Sequence, residues 1–272
     1  MKLAVGILAI TVMPFLATRP PRSLFSSSSG RLDALARNGL LARAFLDGDH
    51  PRLREFLSHY WGQYASEFSE SWDDRFERMF LGCDVEVIDH LERHLESLST
   101  RQEFDRIYEI GCGGGQVLAY LAERFPEMQQ FVGIDLGEDQ METNRNTYPD
   151  SKLEFHAADA TEWIPRNASP GSIFLTNGGV LEYFLEEEVA ALFRCIASRS
   201  SPAIFMLIET IGVDHDLARE ENSFVYGREM AFSHNYPLLL EKAGFTILHR
   251  SERTGFEEDG GGRWIRLVGS VS

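Results

Sequence analysis

Cysteine is scarce in this chain: Cys83, Cys112 and Cys195 are the only three in 272 residues, and they stand far apart. That spacing excludes a C-x-x-C metal or redox motif and any disulfide framework that leaves no free thiol, so the three are expected as small apolar side chains. Basic charge is short as well, with 26 Lys and Arg against 42 Asp and Glu and a formal net charge of -16. A surface of that sign repels phosphate backbones, which removes nucleic acid as a main partner. Also missing is an uninterrupted apolar run of the roughly 20 residues that a membrane-crossing helix needs. No internal repeat is visible. What the chain does have is 43% hydrophobic residues, ample for the core of one large α/β domain with an appendage or of two small domains.

The charge deficit is uneven. Residues 1–60 hold 8 basic and 4 acidic side chains, a net of +4, so everything from Trp61 onward carries -20. Within that basic stretch Lys2 precedes an apolar run, Leu3 to Leu16, broken by Pro14 and followed by Arg19, Pro20, Pro21, Arg22 and the serines Ser26 to Ser29. The layout is that of a secretory signal, but cleavage after Ala17 would put Phe15 where a small residue is wanted, and the Arg and Ser content that follows suits an organellar presequence. Residues 1–30 are therefore expected to be a targeting, anchoring or disordered segment, associating with a membrane through residues 3–16. The competing reading is a helix or strand packed on the core. A cytoplasmic or an organellar location stays open, as does the oligomeric state.

Three helical stretches follow, Arg31 to Leu46, Arg52 to Phe80 and Val85 to Leu98, the last with Val85, Ile88, Leu91, Leu95 and Leu98 on one stripe. They make residues 31–100 a helical region. From 101 to 272 short apolar runs alternate with helical segments, the signature of βαβ units. The strands are expected at Arg106 to Gly111, Gln130 to Asp135, Lys152 to Ala157, Ser172 to Asn177, Pro202 to Glu209, Phe245 to Arg250 and Arg263 to Val271. Helices are expected at Gln116 to Arg124, Glu138 to Asn146, Glu186 to Ser198 and Ser233 to Ala243, and a turn at Glu257 to Gly262 joins the final two strands. The fold class is α/β, a doubly wound and mainly parallel sheet of seven strands with an N-terminal helical lid.

One stretch carries chemistry. Glu109-Ile-Gly111-Cys112-Gly113-Gly-Gly115-Gln116 places three glycines directly after a strand and ahead of a helix, so the backbone turns tightly and a ligand can approach main-chain N–H groups. A dinucleotide fingerprint starting at Gly111 would need glycine where Gln116 stands. Glu109 also suits a cationic ligand better than a pyrophosphate.

The pattern resembles the first motif of the class I S-adenosylmethionine-dependent methyltransferases. Three further stretches fit that resemblance, each at the end of an expected strand: Asp135 with Leu136, Asp159 with Ala160, and Asn177 with Gly178. Membership implies that Glu109, Gly111, Cys112, Gly113 and Gly115 cradle S-adenosylmethionine, that Asp135 accepts its ribose hydroxyls, and that Leu136 lies against the adenine. Asp159 and Ala160 would read the adenine edge, and Asn177 and Gly178 would lie near the methionine moiety. The segment Tyr60 to Phe68 is similar to a lid helix whose aromatic residue, Tyr64 or Phe68, covers the cofactor.

Motifs of other acceptor classes are absent. Asn177-Gly-Gly-Val replaces the Asn/Asp-Pro-Pro-Tyr/Phe of adenine and glutamine methylation, no cysteine follows a proline as in cytosine methylation, and Asn177 with Glu209 is a poor ligand set for magnesium. No metal is expected. The acceptor is expected to be a small molecule methylated on O or N, with His234 as the preferred general base and Glu182 and Tyr183 next. A non-catalytic cofactor-binding protein of the same fold and an aminopropyl transferase are the alternatives.

Overall fold

The computed structural model describes residues 2–13, 15, 31–71, 76–227, 229–255 and 262–272, with the backbone alone described for 2–4, 31, 64–71 and 102. The expected turn at Glu257 to Gly262, apart from Gly262, and the whole segment from Leu16 to Ser29 lie outside these residues. From residue 106 onward the strands are β1 (Arg106–Ile110), β2 (Gln130–Asp135), β3 (Leu153–Ala157), β4 (Ser172–Asn177), β5 (Ala203–Ile211), β6 (Phe224–Tyr226), β7 (Ala231–Ser233), β8 (Thr246–Thr254) and β9 (Arg263–Val271). Seven of them form one sheet in the order β3-β2-β1-β4-β5-β9-β8, while β6 and β7 form a separate hairpin. All neighbours from β3 to β5 are parallel, and β9 runs antiparallel to both β5 and β8. This is the doubly wound, mainly parallel sheet expected from the alternating pattern.

The central strands are apolar on both faces, as strands covered on both sides must be. Along β1, β4 and β5 alternate residues feed two cores. Ile107, Ile173, Leu175, Ile204 and Met206 belong to one, and Tyr108, Ile110, Phe174, Phe205 and Leu207 to the other. The first core is sealed by α4 (Glu86–Ser97), whose Val87, Ile88, Leu91 and Leu95 are wholly buried. The second is sealed by α8 (Glu186–Arg199) through Val189, Leu192, Phe193 and Ile196. Strand order reverses between β1 and β4, so their carboxyl ends diverge and open a crevice.

Ahead of the sheet stand α1 (Lys2–Val12), α2 (Arg31–Leu46) and α3 (His50–Ser71). Helices α1 and α2 cross where Gly6 meets Gly39; a Cβ on Gly6 would come 2.5 Å from the Gly39 nitrogen. Within the helical region expected from Arg52 to Phe80, α3 is described as far as Ser71, residues 72–75 lie outside the described residues, and Phe76–Asp84 is a π-helical stretch. Its wider turn stacks Phe76 on Phe80, with centroids 5.7 Å apart, sets both against Tyr120, and delivers Asp84 to β8 and β9.

Two features differ further from the sequence expectation. A short helix, α7 (Ala160–Asn167), follows β3, and its Pro165 masks a helical pattern in the sequence. The expected helix Ser233 to Ala243 shrinks to α9 (Tyr236–Lys242), because Asn235 caps it by accepting from the Leu238 N–H at 3.3 Å while Ala231–Ser233 pairs as β7.

Asp84 ties the N-terminal half to the antiparallel edge. Its carboxylate accepts from Arg253 Nε at 2.7 Å and Nη2 at 2.6 Å, and its side chain is 1% exposed. Asp84→Ala should lower folding stability by about 3 kcal/mol or more, because it removes one side of a nearly buried ion pair. Urea denaturation of the two proteins measures the loss.

Candidate active site

The crevice is floored by the loop between β1 and α5 (Gln116–Arg124). Gly111, Gly113 and Gly115 take φ values of 71°, 46° and 76°, which glycine adopts without strain. A Cβ on Gly111 would lie 2.5 Å from the Val180 side chain. Asp135, the last residue of β2, holds the loop: Oδ2 accepts from the Gly113 N–H at 3.0 Å and Oδ1 from the Gly137 N–H at 3.2 Å. Each oxygen keeps a second lone pair. Glu109 is 2% exposed, and no hydrogen bond reaches its Oε2. Burial, and then the charge of Asp135, push its pKa well above the carboxylate range. Burial likewise raises the Cys112 thiol, which rests against Met141.

Across the crevice β4 ends in Asn177, followed by Gly178, Gly179 and a short turn, Leu181–Tyr183. Glu209, wholly buried in β5, fixes that turn by accepting the N–H groups of Val180 and Leu181 at 2.9 and 3.0 Å. Burial raises its pKa to about 8. A carboxylate inside the apolar run Ile204 to Ile211 was the sequence signal for this anchor.

The floor, the turn and the helices enclose a cavity of about 420 Å³, within the range of small-molecule sites. The structure brings Glu109, Gly111, Cys112, Gly113, Asp135, Leu136, Ala160, Asn177, Gly178, Glu182 and Tyr183 to its wall. Gly115 is not on the wall; a Cβ there would come 2.9 Å from the Phe155 ring and 3.1 Å from the Tyr148 ring. Trp61, Phe76, Phe80 and Trp264 add aromatic surface. The Tyr183 hydroxyl donates to Glu229 Oε2 at 3.0 Å, and its ring stands 5.3 Å from Trp61. The Tyr226 hydroxyl donates to Glu182 and lies 2.7 Å from the Thr210 hydroxyl. Burial and the neighbouring carboxylates raise both phenols. The side chains of Tyr64 and Phe68 are outside the described residues.

Asp159 sits at the rim with both oxygens engaged. Oδ1 caps α7 through Thr161, and Oδ2 accepts from Arg54 Nη2 at 2.8 Å. Arg54 comes from α3, also donates to Glu188 Oε2 at 2.9 Å, and lies over the Phe184 ring at 4.3 Å. Nothing local in the sequence marks Arg54, since its partners are 105 and 134 positions away.

His234, expected as a general base, does not line the cavity. It is fully buried, with Nε2 at 3.1 and 3.0 Å from the carbonyl oxygens of Leu181 and Phe184 and Nδ1 at 2.6 Å from Ser223 Oγ. Two carbonyls at Nε2 require the proton there, so Nδ1 accepts from serine and neither nitrogen is open to an acceptor molecule. This corrects the expectation: His234 braces the turn that carries Glu182 and Tyr183.

Residues 107–202 match the family model described as a methyltransferase domain. Among curated proteins, a malonyl-[acyl-carrier protein] O-methyltransferase of Brevibacillus brevis is 23% identical over 202 residues, covering 70% of this chain and 71% of that protein. A trans-aconitate 2-methyltransferase of Acidovorax is 31% identical over 116 residues, 42% of this chain and 43% of the relative. The fold matches the crystal structure of the magnesium protoporphyrin IX methyltransferase of Synechocystis at a TM-score of 0.53 and 14% identity, covering 81% of this chain and all of that one. A methyltransferase from Leishmania major gives 0.53 at 10% identity, covering 80% and 82%. Residues 107–202 are thus similar to a methyltransferase domain, and the fold is the one that these methyltransferase structures share.

Burial lowers the His234 pKa to about 4 from an ordinary 6.5. The folded state therefore resists a proton that the unfolded chain takes up near 6.5, and the stability held by neutral His234 is lost as pH falls from 6.5 towards 4, about 2 kcal/mol by pH 5. A His234→Gln variant has no such term. Its stability deficit relative to wild type should narrow by about that amount between pH 7.5 and 5 in paired denaturation curves.

Proposed function

We propose that this enzyme binds S-adenosylmethionine over the glycine loop and passes its methyl group to a small acceptor held between the β4 turn, the β6–β7 hairpin and the N-terminal helices. The observation that carries the reading is Glu109: a buried carboxylate oxygen without a hydrogen bond, beside a loop in which a Cβ at Gly111 has no room, suits an approaching ammonium group. When bound, the cofactor supplies an electrophilic methyl on a sulfonium.

The remaining lone pairs of Asp135 are placed for a pair of hydroxyls, and Leu136 and Ala160 offer an apolar slot and a helix-start N–H for a purine. Asp159 serves that purine only by sharing with Arg54. Glu182 and Tyr183 are the titratable groups at the acceptor end, and Glu182 is the proton acceptor in this reading. Trp61, Phe76, Phe80 and Trp264 exclude water, which aids a displacement in which charge disperses. Binding without turnover across an acceptor panel would mark the non-catalytic alternative.

Asp135→Asn should weaken S-adenosylhomocysteine binding about tenfold or more, the loss of one charge-assisted contact pair. Isothermal titration checks it, and an unchanged affinity would remove Asp135 from ribose recognition.

We further infer that residues 3–16 attach to a lipid surface. Among the described residues no helix is long and apolar enough to cross a membrane. Yet Val5, Leu8 and Val12 of α1 are 47%, 62% and 69% exposed at spacings that share one helix face. Such a face with nearby Lys and Arg suits an anionic bilayer surface. Flotation with phosphatidylserine vesicles should carry the protein upward, and Leu8→Asp with Val12→Asp should abolish the effect.

A further inference from the structure

We propose that Ser58 reads the base of the cofactor: its hydroxyl accepts a hydrogen bond from the exocyclic amino group of the adenine, a contact supplied by the N-terminal helices. The proposal rests on the methyltransferase reading and deepens it by adding a specificity-determining residue from outside the sheet.

Helix α3 spans the cavity between two fixed points. At one of them Arg54 donates to Asp159 Oδ2 at 2.8 Å, which ties the helix to the start of α7. At the other, Gly62 packs on the loop after β2, where a Cβ would come 3.7 Å from Leu136 Cβ. These points flank the slot of Leu136 and Ala160 that suits a purine. Ser58 stands one helical turn, about 6 Å along the axis, from each of them. It shares a helix face with Arg54 and Trp61, and all three line the cavity. The serine side chain therefore faces the slot midway between its two ends.

Its hydroxyl is available. Helical hydroxyls elsewhere in the chain bond back to the carbonyl four residues earlier, Thr11 to Ile7 at 2.8 Å, Thr143 to Asp139 at 2.9 Å and Thr147 to Thr143 at 2.9 Å. Ser58 is half-buried and makes no such bond, nor any other hydrogen bond among the described residues.

Asp159, the acid that the sequence places at the adenine edge, is largely spent. Its Oδ1 receives the N–H and the hydroxyl of Thr161 at 2.9 and 2.6 Å, and its Oδ2 receives Arg54. With two lone pairs on each oxygen, one acceptor position remains. An amino group carries two hydrogens, so Asp159 can satisfy one and leaves the other to a second acceptor. The Ser58 hydroxyl, across the slot on α3, is that acceptor.

The test is isothermal titration of the full chain with S-adenosylhomocysteine and with its 6-deamino analogue, in which unsubstituted purine replaces adenine. Ser58→Ala should weaken S-adenosylhomocysteine about fivefold, the loss of one neutral hydrogen bond. The same variant should bind the deamino analogue within twofold of wild type. Alanine favours helix over serine, so α3 is kept. A loosened α3 would weaken both ligands alike, whereas a lost contact to the amino group weakens only the ligand that carries it. Ser58→Ala binding S-adenosylhomocysteine like wild type, or losing equally with both ligands, would overturn the proposal. Failure of the wild-type chain to bind S-adenosylhomocysteine would instead sink the methyltransferase reading beneath it.

Discussion

One guanidinium joins the two parts of this molecule. Arg54 leaves α3, packs flat on Phe184, and divides its donors between Asp159 at the start of α7 and Glu188 in the first turn of α8. Each acid already serves its own helix, Asp159 by receiving Thr161 and Glu188 by receiving the Leu185 N–H at 2.7 Å. The arginine therefore pins the N-terminal helices to two helix starts at the carboxyl edge of the sheet. The wall of the cavity formed by Ser58 and Trp61 is positioned by that bond pair. With 8% of its side chain exposed, Arg54 is a paired charge in a site where losing one partner leaves the others desolvated.

The same edge gathers five acids, Glu109 and Glu209 buried and Asp135, Glu182 and Glu229 half-buried, and they are handled differently. Asp135 and Glu209 accept backbone N–H groups and so stiffen the glycine loop and the β4 turn. Glu182 and Glu229 accept phenols. Glu109 keeps an oxygen without a hydrogen bond. Backbone donors make carboxylates structural, phenols orient them, and an orphan oxygen awaits a ligand, so the graded satisfaction of these acids sorts scaffold from site.

What was legible in the sequence is what lies close together along it. The βαβ alternation places β1 to β5, and the glycine loop and Asp135 fall at strand ends because a strand, its loop and the next helix start are contiguous. The Arg54 link, the Asp84 pairing with Arg253 and the hold of Glu209 on the β4 turn span 28 to 169 positions and have no local pattern. The β6–β7 hairpin escaped notice because three-residue strands carry too few alternations, and His234 looked catalytic because a histidine near a helix start gives no sign of the carbonyls that surround it in the fold. The π-helical stretch reads as ordinary helix, since its apolar residues keep near-helical spacing.

The span shared with the family model closes at Pro202, immediately before β5. Yet β4 runs between β1 and β5, and five of its six residues are buried. Cut there, the sheet would end in an apolar strand with one whole row of amide and carbonyl groups unpaired, a template for another chain to add to. The span that matches the family model is thus not a complete sheet by itself. The strands beyond Pro202, β5 and then the antiparallel β9 and β8, cover the edge of β4 that the matched span would leave open.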